Sequence, residues 1–260
     1  MGPAIHSKLE SAAGAGTEVV ISMRDLHKAF GSNKVLKGFD LDVHRGENVM
    51  VLGKSGSGKS VLIKCIVGLL RPDQGQVMVL GQDVYALDQD DLDRLRVRIG
   101  FLFQSSALYD SMTVRENLEF PLRRHWFAQS AEERDALVKE ALENVGLEHT
   151  KDMYPSELSG GMRRRIGLAR TLILKPEIVL YDEPTTGLDP ITGKEIVELI
   201  LRLQKKYGTS SVIISHDLNV AKLAANRVAI LMDGRNYIEG SYDELRSMPD
   251  PLVQQFFIFM

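Results

Sequence analysis

Short apolar runs recur along the chain, each closed by a glycine, a proline or a charged residue. Asn48–Leu52, Ile99–Phe103, Ile178–Tyr181 and Val212–Ser215 are nearly continuous in apolar residues, the pattern of strands covered on both faces. Val228–Met232 and Tyr237–Glu239 extend the same sheet region. Nearer the N-terminus, Val19–Met23 opens a strand region and Gln76–Leu80 reads as a short strand closed by Gly81. Val35–Val43 alternates apolar and polar residues, which predicts a half-exposed antiparallel strand. Three stretches carry helical patterns instead. Val61–Val67 predicts a helix stopped by Pro72. Ser130–Glu133 has capping-box spacing, and Leu137, Val138, Ala141, Leu142 and Val145 form a stripe that ends at Gly146. Ser159 is a natural N-cap for a helix running to about Leu174.

Between the first buried run and the first helix lies Gly53–Lys54–Ser55–Gly56–Ser57–Gly58–Lys59–Ser60, which fits the phosphate-loop pattern at every fixed position. Its glycines let the backbone wrap so that several N–H groups point at one phosphate chain, and the helix start adds its own unpaired N–H groups. Lys59 is expected to reach the β- and γ-phosphates, and the Ser60 hydroxyl to ligate Mg²⁺. The chain is therefore expected to bind a nucleoside triphosphate.

Other residues are weaker alone. Phe30, just before Gly31, either stacks on a flat ligand or fills a strand corner. Gln104 ends a strand, where a polar cap suffices. Asp182–Glu183 follow an apolar strand, and extended chain would send the two carboxylates to opposite faces for separate tasks. His216 also ends a strand, where a structural role is the plainer reading. The Arg163–Arg165 triplet reads at least in part as a solvated face. Ala107–Tyr109 through Trp126–Phe127 mixes apolar, aromatic and basic residues, and fits a partner surface or a subdomain core equally. The apolar tail Phe256–Met260 either packs on its own domain or meets a partner.

Composition narrows the class. The 260 residues suffice for one sizeable α/β domain or a core with a small subdomain. A net charge of −3 lacks the basic excess expected of a nucleic-acid binder. The single cysteine, Cys65, excludes an internal disulfide and reads as a packing residue. Residues 1–17 read as a disordered leader or expression scar, with no apolar core of a secretion signal. No apolar run is long enough to span a bilayer, so the chain is expected in the cytoplasm unless a partner holds it at a membrane.

The phosphate loop, Gln104, Leu158–Ser159–Gly160–Gly161, Asp182–Glu183 and His216 follow the order and spacing of ATP-binding-cassette (ABC) ATPases. The resemblance covers about Val19 to Glu239, and the Leu158–Gly161 motif is its specific part. It implies an α/β, phosphate-loop (RecA-like) nucleotide-binding domain over 18–260. An N-terminal antiparallel β subdomain and an α-helical subdomain inserted at about 105–170 would belong to it. It further implies that Phe30 stacks on adenine and that Gln104 touches Mg²⁺ or water and senses a membrane partner. Asp182 would hold Mg²⁺, Glu183 would act as general base, and His216 would contact the γ-phosphate. Ser159, Gly160 and Gly161 would bind the ATP of a second copy, with Asp189 at that head-to-tail interface. Met162 departs from the Gln of many members.

Shorter matches resemble the ATPases of Mla/Mce-type phospholipid transporters. These are Leu158–Met162 with Arg164–Arg165, Leu102–Ser105 with Ala107–Leu108, Pro121–Arg123 with His125, Asp189–Thr192, and Pro249–Pro251 with Gln255–Phe256. They imply a peripheral subunit on the cytoplasmic face of the inner membrane, working with a transmembrane permease dimer and a periplasmic Mce-type lipid-binding protein. Some such systems add a STAS-domain subunit. The rival readings are an ABC transport ATPase for another cargo and a non-transport ABC protein acting on DNA or ribosomes. The missing tandem cassette and the acidic charge count against the latter.

Overall fold

Alternation along the N-terminal strands decides which side of them is covered. A computed structural model describes residues 18–125 and 130–259; the leader expected over 1–17, Trp126, Phe127 and Met260 lie outside the described residues. In chain order come β1 (Val19–Phe30), β2 (Asn33–His44), β3 (Asn48–Leu52), α1 (Lys59–Ile66), β4 (Gln74–Val79) and β5 (Gln82–Asp83). There follow α2 (Gln89–Val97), β6 (Ile99–Leu102), α3 (Val114–Arg124), α4 (Ala131–Val145), α5 (Gly160–Leu172) and β7 (Ile178–Asp182). The last third holds α6 (Pro190–Tyr207), β8 (Ser210–Ser215), α7 (Leu218–Ala224), β9 (Arg227–Met232), β10 (Arg235–Gly240), α8 (Tyr242–Ser247) and α9 (Pro251–Phe259).

Two sheets result among the described residues. The smaller has the order β2-β1-β4-β5 and is antiparallel, as the alternation over Val35–Val43 predicts. The larger has the order β10-β9-β3-β8-β7-β6, with every neighbouring pair parallel except β9 and β10. β3, β7 and β8 are buried throughout, which is why they read as unbroken apolar runs. Their period-two alternation divides the core. Val49, Val51, Leu180, Val212 and Ile214 pack toward α1 and the small sheet. Met50, Leu52, Val179, Tyr181 and Ile213 pack toward α3 through α7. The expected α/β phosphate-loop fold is borne out.

The two capped helices form as their sequences predict. Ser130 and Glu133 make a reciprocal capping box on α4, and Gly146 ends it in the left-handed conformation. α1 ends within one residue of the expected Val67, but Pro72 is not what stops it. It stops at Ile66, where Gly68 at φ 68° turns the chain and the Leu69 and Leu70 N–H groups bond back to Lys64 O. Pro72 is too far downstream to be the stop. Thr113 and Glu116 form another capping box on α3, in a segment whose mixed composition masked the helix. The tail folds back: Val253 and Phe256 of α9 are buried in the main core, and Phe257 meets the Tyr242 ring edge-on. Cys65 is buried, and burial pushes its thiol up to about 11.

Candidate nucleotide site

Parallel pairing aligns the C-terminal ends of β3, β8, β7 and β6 along one edge, in that spatial order. The segments leaving those ends are Gly53–Ser60, His216, Asp182–Glu183 and Phe103–Gln104 respectively. Ligands of open α/β sheets bind outside such strand ends.

The phosphate loop is shaped by its glycines. Gly58, the N-cap of α1, has φ 105°, and a Cβ there would lie 2.6 Å from Val35 Cγ1 of β2. The loop therefore rests against the β1–β2 hairpin, and no side chain caps the α1 start. Lys59 is buried; its Nζ donates to Gly53 O (2.8 Å) and Lys54 O (3.2 Å) and lies 3.7 Å from the Glu183 carboxylate. Lys54 and Ser55 stay exposed at the loop crest, next to Gly56 at φ 77°.

Ser60 Oγ donates to Asp182 Oδ1 at 3.2 Å. Burial pushes the Asp182 carboxyl above its usual range; the Ser60 bond opposes this and the neighbouring Glu183 charge adds to it. A buried carboxylate beside a second one and a hydroxyl is a donor set suited to Mg²⁺, a cation that takes few protein ligands and completes its shell with phosphate and water. No cluster of three or more His, Cys, Asp or Glu ligands occurs among the described residues, so Ser60 and Asp182 fit Mg²⁺ only together with a nucleotide.

The two carboxylates do not diverge through extended backbone as expected. Glu183 sits at φ 50°, in the left-handed region, with its N–H bonded to Ile214 O at 2.8 Å. Strain of this kind costs about 1–3 kcal/mol and persists where surrounding structure over-determines it. The turn brings the Glu183 carboxylate to His216 Nδ1 (3.0 Å) and to the Thr186 hydroxyl, which donates to it at 3.1 Å. Thr186 was not legible as a site residue. His216 keeps about half of its side chain exposed.

Phe30 ends β1 with its ring 51% exposed, so it fills no corner; the Lys28 ammonium lies 5.7 Å from the ring centroid. Gln104 is exposed two residues past β6, and among the described residues no hydrogen bond joins it to Ser60 or Asp182.

A second set of expected residues gathers elsewhere. Ser159 caps α5, its Oγ accepting from Met162 N at 3.2 Å, and is exposed. A Cβ on Gly160 would touch Leu188, and one on Gly161 would lie 2.7 Å from Thr192 Cγ2, so this helix start packs on the start of α6. Asp189 caps α6, accepting from the Thr192 hydroxyl and from the Ile191 and Thr192 N–H groups, which hold its carboxyl below the usual range. Among the described residues no hydrogen bond or ion pair joins Ser159–Gly161 or Asp189 to the phosphate loop, Asp182, Glu183 or His216. The arginine triplet is solvated in part, as expected: Arg163 is exposed, whereas Arg164 is buried and Arg165 pairs with Glu195 at 2.7 Å.

A phosphate loop, a hydroxyl–carboxylate pair and a carboxylate–histidine pair on one edge of a parallel sheet define a nucleoside-triphosphatase. The ABC transporter family profile matches residues 36–186. The probable ribonucleotide transport ATP-binding protein mkl of Mycobacterium leprae is 38% identical over 92% of this chain and 68% of its own length. The protein TRIGALACTOSYLDIACYLGLYCEROL 3 of Arabidopsis thaliana is 38% identical over 92% of this chain and 74% of its own. A methionine import ATP-binding protein MetN of Rhizobium johnstonii is 39% identical, and this chain spans 64% of its length. Among solved structures, the dimeric ATP-binding cassette MJ0796 bound to ADP and Pi superposes with TM-score 0.78 at 35% identity, over 85% of this chain and 98% of that one. cbiO1 of Clostridium perfringens, part of an ABC transporter complex, gives 0.80 at 27% identity, over 93% and 96%. The chain belongs to the ABC transporter ATP-binding family and is an ATP-binding ATPase domain.

Proposed function

We propose that this chain powers phospholipid transport between membranes by hydrolysing ATP in a head-to-tail pair of copies. The observation that carries the hydrolytic part is the convergence of Lys59, Glu183, His216 and Thr186 beside the Ser60–Asp182 pair. Gly53, Lys54, Ser55, Gly56, Ser57 and Gly58 wrap the phosphates with backbone N–H groups, and Lys59 neutralises them. Phe30 stacks on adenine. Ser60 and Asp182 would hold Mg²⁺, which when bound would shield phosphate charge, and Gln104 would be the further polar group directed to that ion or to water. Glu183 orients the attacking water, and His216, placed by the Glu183 carboxylate, faces the γ-phosphate. Ser159, Gly160, Gly161 and Asp189 serve the nucleotide of the second copy, so closure of the pair gates hydrolysis.

The cargo reading rests on the Mla/Mce-like motifs and on a relative named for a galactolipid. The partners are a permease dimer and a periplasmic Mce-type protein, with a STAS-domain subunit in some such systems. The site of action is the cytoplasmic face of the inner membrane; among the described residues no helix is long and apolar enough to cross it. The second reading, another cargo on the same engine, is favoured by relatives named for ribonucleotide and methionine transport. The domain division at 18–260 with a helical part near 105–170 belongs to the same proposal; that span holds α3, α4 and most of α5.

A mild-detergent pull-down of the tagged chain with mass spectrometry of proteins and lipids tests the cargo. A permease, an Mce-domain protein and enriched phospholipid support the lipid reading; a permease with a different binding protein and no lipid overturns it. Glu183→Gln tests the engine: turnover is lost while ATP binding remains, and normal turnover would refute the base assignment.

A further inference from the structure

We infer that Arg164 is a positioning residue that fastens the Gln104 loop and the Glu183 loop to the start of α5, so that whatever grips that helix start sets both loops. Arg164 lies five residues after Ser159 and is only 5% exposed. Burial of a cation is costly unless a counter-ion compensates it. Among the described residues Arg164 has no carboxylate partner; burial alone lowers its pKa, and its guanidinium remains charged. Its donors go to two backbone carbonyls instead. Nη1 donates to Phe103 O at 3.0 Å and Nη2 to Thr186 O at 3.3 Å. Phe103 directly precedes Gln104. Thr186 follows Glu183 by three residues, and its own hydroxyl holds the Glu183 carboxylate. One planar fork thus bridges the two loops, a geometry the point charge of a lysine cannot reproduce.

The same stripe of α5 continues the grip at i+3 and i+6. A Cβ on Gly167 would lie 2.8 Å from Ser106 Cβ, so the glycine lets the Gln104 loop press onto the helix. Arg170 donates to Ser106 O (3.0 Å), Ala107 O (2.7 Å) and Asn117 Oδ1 (3.3 Å). Ser106 and Ala107 both adopt left-handed φ, at 62° and 47°, which needs such support. The loop is therefore clamped at both ends by one helix, whose opposite attachment is the exposed Ser159–Gly160 start resting on Leu188. Among the described residues both hydrogen bonds of Arg164 go to backbone carbonyls, of Phe103 and Thr186, and none to Lys59, Ser60, Asp182, Glu183 or His216. It acts through Thr186 on the Glu183 carboxylate and through Phe103 on the placement of Gln104.

This rests on the reading of Glu183 as the group that orients water. The test is steady-state MgATP turnover of the full chain with its co-purifying partners, together with fluorescent-ATP binding and thermal melting. Arg164→Met keeps length and apolar fit but removes the fork. It is expected to lower kcat about tenfold or more while KM and nucleotide affinity stay within about threefold. Melting is unchanged or raised, since a buried charge is gone, and Arg164→Lys recovers part of the loss. Thr186→Val lowers kcat on its own, and the double variant falls no more than about twofold below Arg164→Met, because both act on one carboxylate. If Arg164→Met does not fold, Arg164→Lys with Thr186→Val supplies the same cycle. Turnover of Arg164→Met near that of the parent, losses that multiply in the double variant, or a loss matched by KM would each overturn the inference. Glu183→Gln separates the two readings. If it turns over normally, the base assignment fails; if it is inactive while Arg164→Met is not, only the role of Arg164 fails.

Discussion

Two helix starts in this protein carry glycine and present backbone N–H groups suited to an anion, and they differ in everything else. At α1 the N-cap is Gly58 in left-handed conformation with no side-chain cap, and the buried Lys59 follows it. Ser60, Asp182, Glu183 and His216 reach the same place. At α5 the N-cap is Ser159, which already satisfies Met162 N, and the neighbouring carboxylate, Asp189, is saturated by the α6 backbone and Thr192. The Asp182 carboxyl is pushed up by burial and seeks a cation; that of Asp189 is held down and seeks nothing further. Backbone suited to an anion is thus presented twice, but ionisable side chains converge on only one of the two starts. A second start without reacting groups is what a composite site needs, if it serves a nucleotide seated on another copy.

The largest effect expected from breaking this contrast is at Lys59. Lys59→Ala should cut nucleotide-dependent turnover by about 10²–10³-fold and weaken ATP binding by separated copies, read by equilibrium titration. Ser159→Glu should also depress turnover by about tenfold or more, since like charge meets phosphate at cost, yet leave ATP binding to separated copies unchanged. Equal loss of binding in both variants would erase the distinction between the two starts. Mixing the two variants sharpens it: a head-to-tail pair of one Lys59→Ala copy and one Ser159→Glu copy contains one intact composite site, so the mixture should turn over faster than either variant alone.

A smaller effect separates the glycines. Gly58→Ala must adopt φ 105° and collide with Val35, so melting should report a loss of about 1–3 kcal/mol and weakened ATP binding. Gly160→Ala meets only an ordinary contact at Leu188 and gains helix propensity, so its melting temperature should hold or rise. The smallest effect is electrostatic. The folded-state pKa of Asp189 is lowered, chiefly by the Thr192 hydroxyl. Its contribution to stability is present above the usual carboxylate pKa and is lost as pH falls through the lowered value. The melting difference between parent and Asp189→Ala should therefore be visible at pH 7 and close in acid.

Sequence pattern revealed the α1 side far better than the α5 side. Gly53–Ser60 and the strand before it are contiguous, and a local chain segment carries its own geometry. The places of Asp182 and His216 at strand ends were legible because continuous apolar runs mark strands buried on both faces, whereas a site role for His216 came only from the family resemblance. The turn at Glu183 was not, since left-handed backbone on a glutamate depends on the bond to Ile214 O from a neighbouring strand. Which of the three arginines is buried was not legible, for a related reason. Three adjacent arginines look solvated, and only the packing of two distant loops buries the middle one. Arg164, Gly167 and Arg170 share one face of α5, but nothing local in the sequence says what lies against that face.

The buried thiol of Cys65 has a practical corollary for testing whether two copies pair. It is the only cysteine in the chain, it is inaccessible, and with a pKa near 11 only about one molecule in 10⁴ carries the thiolate at neutral pH. A thiol-directed dye or spin label will ignore it. One engineered cysteine beside Ser159 and another beside Phe30 can then be labelled in the native background, and the distance between copies followed as ATP is added and spent.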